Sequence, residues 1–426
     1  MHIPRTFRPA GLVAGAAVCT LALSACAGGA GGGDTASGEG FEYGIPQEEL
    51  NEIIADLDPV EITYQAGAQS PNSVSAATAI EFKDYIETRS NGQITVDLVY
   101  GQAIAGYAEI DDALADGRVD LSYALPIYNP TEYPAFDALA TATAGMPNSP
   151  VVGEAVGNAA VVDLAWGSEQ LLAEYEEKGL SPITPMISTG SYYTVCSSGG
   201  TTLDDFNGRQ VRIASTAHAQ QATNLGASPV SMEYVEVFEA LQRGTVDCTL
   251  AQLLPSEETG VLEVAPHVGY TTQENSLSGR SAGANLAGSG YQALPLAYQQ
   301  IIFDSAVGGW ATSNQVNAEG NYKGVAMALD NGGEVVPIDP ETDEQIGATN
   351  DELLAAVEES GVIDAGVVDR TAESIQHWTD VAAELGMPED GAVEDINDWY
   401  ELGSVDFMPM AERLYEESIA PHRPGA

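Results

Sequence analysis

Between Leu203 and Thr249 the chain alternates strand-type and helix-type patterns, and this alternation limits the fold more than any other feature. Gln210 to Ala214 reads as a short buried strand and Gly226 to Met232 as a second, each followed by a helix, the last closing on Gly244 and Asp247. The rhythm begins earlier. Strands at Val60–Ala66, Ile94–Val99 and Val119–Ala124 are interleaved with helices at Asn72–Ser90 and Tyr107–Asp116. Strands separated by helices form parallel sheets with helices packed on their faces, so the expected class is α/β. Val211 and Ile213 flank Arg212, and the period of two aims the arginine away from the side its neighbours bury. Ligands of open α/β sheets bind beyond the carboxyl ends of the strands. The loops Gln65–Asn72 and Tyr123–Asn129, with Asn72 and Tyr128, are therefore expected to face a cleft.

Composition sets the setting for that arginine. The chain has 426 residues, 44% of them hydrophobic, enough for two or three core-sized units. Its 14 basic residues face 63 acidic ones, for a formal charge of −49, and only Lys83, Lys178 and Lys323 are lysines. Nucleic acid, which needs a basic surface, is excluded as a partner. Such a surface suits a salt-rich exterior, where solvated carboxylates keep a protein soluble. A small anion must then find a local positive centre to overcome the field, with salt screening its approach.

The amino-terminal residues carry an address. Arg5 and Arg8 precede the apolar run Gly11–Leu23, and Leu23-Ser24-Ala25-Cys26 reads as a lipobox, so 1–25 is expected to be a lipoprotein signal peptide with Cys26 lipid-modified. Residues 26–59 then form a lipid-attached tether, rich in Gly, Ala and Ser at its start. Beyond the leader no run approaches the about 18 apolar residues of a membrane span. Cys196 and Cys248 remain, either as a disulfide or as two buried thiols.

The segments D-D-F-N-G-R-Q-V-R-I, L-G-A-S-P-V-S-M and E-V-F-E-A-L-Q-R-G-T-V-D, from Asp204 to Asp247, resemble the solute-binding proteins of tripartite ATP-independent periplasmic (TRAP) transporters. Glu81–Gln102 and Asp111–Asp120 resemble the same family's first lobe, and the likeness extends over roughly residues 60 to 310. It implies a two-lobe fold of the periplasmic-binding-protein type II class, with a hinge and a long connecting helix. Lobe I is expected at 60–189 and 279–318, lobe II at 190–278 and 319–426. The chain is expected to cross between lobes within Ile183–Val195 and again within Tyr270–Leu286. A helix over Val151–Lys178, a helix over Pro295–Val316 and an inserted loop at Asp339–Gly347 complete the reading.

The resemblance also implies a function: an extracytoplasmic receptor, anchored by lipid, that closes on a small organic acid and delivers it as a monomer to the membrane subunits of a TRAP-type transporter. A cell-surface structural or interaction lipoprotein that keeps the fold is the alternative. Arg212 matches the arginine that pairs with the ligand carboxylate, and Tyr234 falls where relatives place an aromatic. Residues 245–252 stand where many relatives have a more polar element, leaving Gln252 as its amide and Leu250 and Ala251 as apolar replacements. A second arginine found upstream in many relatives is replaced by Ser191, Tyr192 and Tyr193. One cation with added tyrosines, Tyr192 foremost, points to a monocarboxylate with an apolar or aromatic body.

Catalytic signatures are missing. Gly279–Gly283 matches G-x-S-x-G, but polar residues precede it where a nucleophile elbow needs a hydrophobic strand. No metal-ligand spacing or phosphate-binding glycine loop occurs, so neither a cofactor nor a metal is expected and the chain is not read as an enzyme.

Overall fold

The computed structural model describes residues 38–146, 149–271, 275–277 and 280–426. The leader, Cys26 and the start of the expected tether lie outside them, as does Gly279, but the rest of 26–59 is not a flexible tether: Gln47–Ile54 is a helix, and Phe41, Leu50 and Ile54 are buried in the core because their apolar side chains pack there. The strands are β1 (Val60–Gln65), β2 (Ile94–Val99), β3 (Leu121–Ala124), β4 (Ser181–Ser188), β5 (Tyr193–Cys196) and β6 (Gln210–Ile213). They continue with β7 (Ser228–Ser231), β8 (Cys248–Ala251), β9 (His267–Tyr270), β10 (Ser281–Ala287) and β11 (Glu334–Pro337). Two sheets result, one ordered β2-β1-β3-β10-β4 and the other β11-β9-β5-β8-β6-β7. The fold is α/β with two lobes.

Each sheet is parallel except for one strand. In the first, β1 runs parallel to β2 and β3, while β10 is antiparallel to both β3 and β4. In the second, β6 is parallel to β7 and β8, and β5 is antiparallel to β8 and β9. The reversed strands are those by which the chain changes sheets, β5 on entering the second and β10 on returning to the first. Helix alternation alone predicts parallel pairing; the crossings are what break it.

Both crossings are held by one carboxylate. Glu154, on the helix Val152–Trp166, is 1% exposed. It accepts a hydrogen bond from the Ser191 amide at 2.7 Å, just before β5, and from Arg280 Nη2 at 2.6 Å, just before β10. Arg280 is thereby a neutralised structural cation rather than part of a nucleophile elbow.

Several elements differ from the sequence reading. The helix expected over Val151–Lys178 is two helices, Val152–Trp166 and Glu169–Glu177, because Ser168 caps the second by accepting from the Leu171 amide at 3.3 Å. The helix expected over Pro295–Val316 is Leu296–Asp304 followed by the 25-residue Ala306–Asp330. Asp339–Gly347 is no inserted loop: Asp339 caps the helix Pro340–Ser360, accepting from the Glu341 amide at 3.1 Å. The C-terminal region is divided differently too. Val367–Glu384 packs on the helix Val152–Trp166, beside the first sheet. Arg423 then makes a two-pronged pair with Asp304 at 2.7 and 2.8 Å and donates to the Phe41 carbonyl, so the end of the chain sits with lobe I elements rather than in lobe II, where 319–426 is expected. Among the described residues no helix is long and apolar enough to cross a membrane.

Cys196 and Cys248 face each other across the β5–β8 pair and form a disulfide of 2.11 Å, closing a separation of 52 residues. Replacing both by alanine is expected to lower stability by about 2–4 kcal/mol, since a cross-link of this span restricts the unfolded chain. Denaturant titration measures this, and thiol titration of oxidised protein starting after Cys26 should find no free thiol. Two reactive thiols would contradict the bridge.

Candidate ligand-binding site

A cavity of about 230 Å³ lies between the two sheets, with walls from both lobes and from the helix Ala306–Asp330. That is below the about 300–1,000 Å³ of drug-sized ligand pockets, so a small occupant is indicated. Its walls are largely apolar and aromatic, with Phe82, Tyr107, Tyr123, Ile187 and Trp310 among them. Tyr123 can lie flat into the floor because Gly67 and Gly283 flank it, where a Cβ would come within 2.8 and 2.4 Å of the tyrosine. Tyr107 meets Tyr123 and Tyr128 edge-on at 6.4 and 6.3 Å, giving one aromatic wall.

Arg212 enters this cavity from the second sheet, 1% exposed. Its Nε donates to the Met232 carbonyl at 3.0 Å, its Nη2 donates to the Tyr128 hydroxyl at 3.2 Å, and its guanidinium lies 5.1 Å from the Tyr234 ring centroid. Strand alternation explains the direction, since Val211 and Ile213 are buried on the other face against the second sheet's own core. Three arginines are buried among the described residues, and two of them have carboxylates: Arg280 has Glu154, and Arg423 has Asp304. Arg212 has no carboxylate partner among the described residues. Glu233 and Glu258 also line the cavity, but neither is ion-paired with it.

The other expected residues separate into two groups. Tyr128, Tyr192, Tyr234 and Gln252 line the cavity with Arg212. Tyr234 is bonded through its hydroxyl to Ser256 at 2.6 Å, and burial raises its phenol to about 12, so it is a neutral hydroxyl at physiological pH. Burial likewise raises the Tyr192 phenol, against the side of His218. Gln252 donates to the Thr189 hydroxyl between the sheets. Asn72, by contrast, is exposed on its loop and does not line the cavity. Tyr193, Leu250 and Ala251 are buried in the sheet away from the cavity, Tyr193 within the field of Glu154 and Arg280. Tyr192, just before β5, lines the cavity while Tyr193, its first residue, is buried away from it, so only one of the pair can serve a ligand.

Sequence reasoning passed over Asn285 and Thr184, on the floor, and Tyr64 and Trp310 on the walls. Tyr123 fell within a loop expected to face the cleft. Asn285 sits on the returning antiparallel strand, where the rule about carboxyl ends of parallel strands gives no signal. Trp310 is indistinguishable from core in a helix buried nearly all round.

Hydrogen bonds span the cleft beside the cavity. Glu258 accepts from the Ser75 amide at 2.7 Å and from its hydroxyl at 2.9 Å, and Asp137 accepts from the Thr216 hydroxyl at 2.8 and 2.9 Å. No group of three or more metal-binding side chains occurs among the described residues. The arrangement can neutralise one anionic group in a largely apolar, aromatic space bridged by contacts between the lobes.

A profile described as DctP, bacterial extracellular solute-binding protein, family 7, matches residues 66–360. Similar solved structures include a marine metagenome TRAP solute-binding protein specific for aromatic acid ligands, in complex with 3-hydroxybenzoate; identity is 17%, TM-score 0.66, covering 75% of this chain and 99% of that one. A TRAP solute-binding protein from Rhodoferax ferrireducens with copurified benzoate shows 18% identity and TM-score 0.64 over 76% and 99%. One from Shewanella oneidensis with bound succinate shows 20% identity and TM-score 0.60 over 74% and 99%. No curated relative matches the chain.

Asp137 provides a pH test of the cleft. Burial raises its carboxyl above the ordinary 3.8, outweighing the Thr216 hydrogen bond that lowers it. A raised acid in the folded state stabilises at low pH, and that contribution is lost as pH rises through the folded value. Asp137→Asn keeps an acceptor for Thr216 without the charge. It should be more stable than the parent at pH 7, with the difference shrinking as pH falls toward the ordinary carboxylate value. An equal shift at both pH values, measured by denaturant unfolding, would contradict this.

Proposed function

Because the chain belongs to family 7 of the bacterial extracellular solute-binding proteins, we propose that it is the monomeric solute receptor of a TRAP-type transporter, binding a monocarboxylate with an apolar or aromatic body. Arg212 carries the reading. A buried guanidinium is always charged and costs several kcal/mol to desolvate, a cost that only an opposite charge with good geometry offsets. The ligand's carboxylate is that charge. Tyr128 is placed to add a hydroxyl to the same anion, and Tyr234 covers the guanidinium with its ring face.

The body of the ligand follows from the rest of the cavity. Phe82, Tyr107, Tyr123 and Trp310 favour a ring or branched chain, at about 25 cal/mol per Å² of apolar surface buried. Among the cavity residues Arg212 is the sole cation, so a second carboxylate would be desolvated without a partner, in the presence of Glu233 and Glu258. Relatives of this fold bind aromatic acids in two cases and succinate in another, so the choice rests on this chain's own walls. Delivery requires the membrane subunits of the transporter, and lipid attachment at Cys26 would hold the receptor beside them on the extracytoplasmic face. A purely structural surface lipoprotein has no use for a buried arginine without a carboxylate partner in a cavity between two lobes.

Two outcomes are expected. In a thermal-shift screen, aromatic or branched monocarboxylates should stabilise the protein more than succinate, malate or sialic acid. A ligand at 100 times its Kd adds about 2.7 kcal/mol. Calorimetric titration of the best acid should show Arg212→Lys binding tenfold weaker or more, because a point charge cannot reproduce a planar fork. A dicarboxylate giving the largest shift, or parental affinity in the lysine variant, would overturn the reading.

A further inference from the structure

The cavity has a second polar point, on the sheet opposite Arg212. Asn285 on β10 is registered with Thr184 on β4 and with Tyr123 on β3, so the three stand side by side across the floor. Asn285 is 7% and Thr184 6% exposed, and both line the cavity. The Asn285 Oδ1 accepts from the Tyr64 hydroxyl at 3.4 Å, and the side chain lines the cavity. Among the described residues neither Asn285 Nδ2 nor Thr184 Oγ1 has a hydrogen-bond partner.

Buried polar groups are normally satisfied, and leaving one unmade costs more than an apolar side chain of the same shape would. Here two polar groups without a protein partner, on side chains more than nine-tenths buried, adjoin on one sheet face inside a space that is largely apolar and aromatic. No cation or carboxylate stands on this floor, so the group they meet is neutral. A hydroxyl satisfies both at once: its oxygen accepts from the Asn285 amide and its proton goes to Thr184 Oγ1, a hydroxyl able to accept as well as donate. A carbonyl oxygen satisfies them equally, accepting from each.

We infer that the ligand carries an uncharged hydroxyl or carbonyl oxygen at the end remote from its carboxylate, and that Asn285 and Thr184 select for it. The inference rests on the reading that Arg212 takes the carboxylate, since this fixes which end of the ligand reaches the floor. Arg212 then supplies the anchor and the first sheet supplies the discrimination. A site built to hydrogen-bond a hydroxyl rejects the analogue that lacks it, because its own groups are then left unpaired.

The test is calorimetric titration with matched acids: benzoate against the hydroxybenzoate isomers, and hexanoate against its terminally hydroxylated form. In the parent protein at least one hydroxylated acid should bind about tenfold tighter than its plain counterpart. Thr184→Val, which preserves shape, and Asn285→Leu should each reduce that advantage to about twofold or less, read as the ratio of the two affinities within the same variant. Folding of each variant is checked by its thermal unfolding transition. An advantage absent in the parent, or undiminished in Thr184→Val, would overturn the inference while leaving the Arg212 anchor standing. If no acid of either kind binds the parent, or if binding ignores Arg212→Lys, the anchor reading fails and this one with it.

Discussion

A guanidinium buried without a carboxylate is the constraint on which the rest of this structure depends. The chain carries 63 acidic residues and could have neutralised Arg212 many times over. It does so for Arg280 through Glu154 and for Arg423 through Asp304, both deep in the protein. At Arg212 the described residues supply a backbone carbonyl, a tyrosine hydroxyl and an aromatic face, and no carboxylate. These orient the fork without cancelling its charge. The overall negative field raises the barrier to an approaching anion, but over a screening length of about 8–10 Å at ordinary salt, and less in brine, the local centre decides.

The two sheets turn that charge into an enclosed site. Arg212 comes from one and the aromatic floor from the other, so neither lobe alone makes a pocket. Glu154 ties the two chain crossings to a single helix of the first lobe. The cross-cleft bonds of Glu258 with Ser75 and Asp137 with Thr216 then hold the walls around the cavity. Each of these pairs is separated by many tens of residues in sequence, and each depends on the sheets being in place first.

Much of this was legible in the chain itself. The alternation of strands and helices carries the α/β class, and the Val211–Arg212–Ile213 pattern carries the direction of the arginine. Local periodicity was less reliable at chain reversals. Helix breaks at Gly167–Ser168 and Ser305 leave apolar periodicity nearly uninterrupted, and Asp339, read as a loop residue, caps a helix. The floor was hidden for a topological reason: β10 returns antiparallel, so its cavity-facing side chain, Asn285, is not at a strand end. Asn72 was misplaced because the rule about strand ends locates a loop and not which of its residues turns inward. Docking of the C-terminal helices on the first lobe depends on long-range contacts such as Arg423 with Asp304, which no local pattern encodes.

The most direct test of the central claim is a crystal structure of the protein with the acid that stabilises it most. The account predicts a carboxylate oxygen within hydrogen-bonding distance, about 2.7–2.9 Å, of Arg212, with Tyr128 beside it and the body of the acid against Tyr107 and Tyr123. A ligand carboxylate bound elsewhere in the cleft, with Arg212 still holding only Met232 and Tyr128, would contradict it.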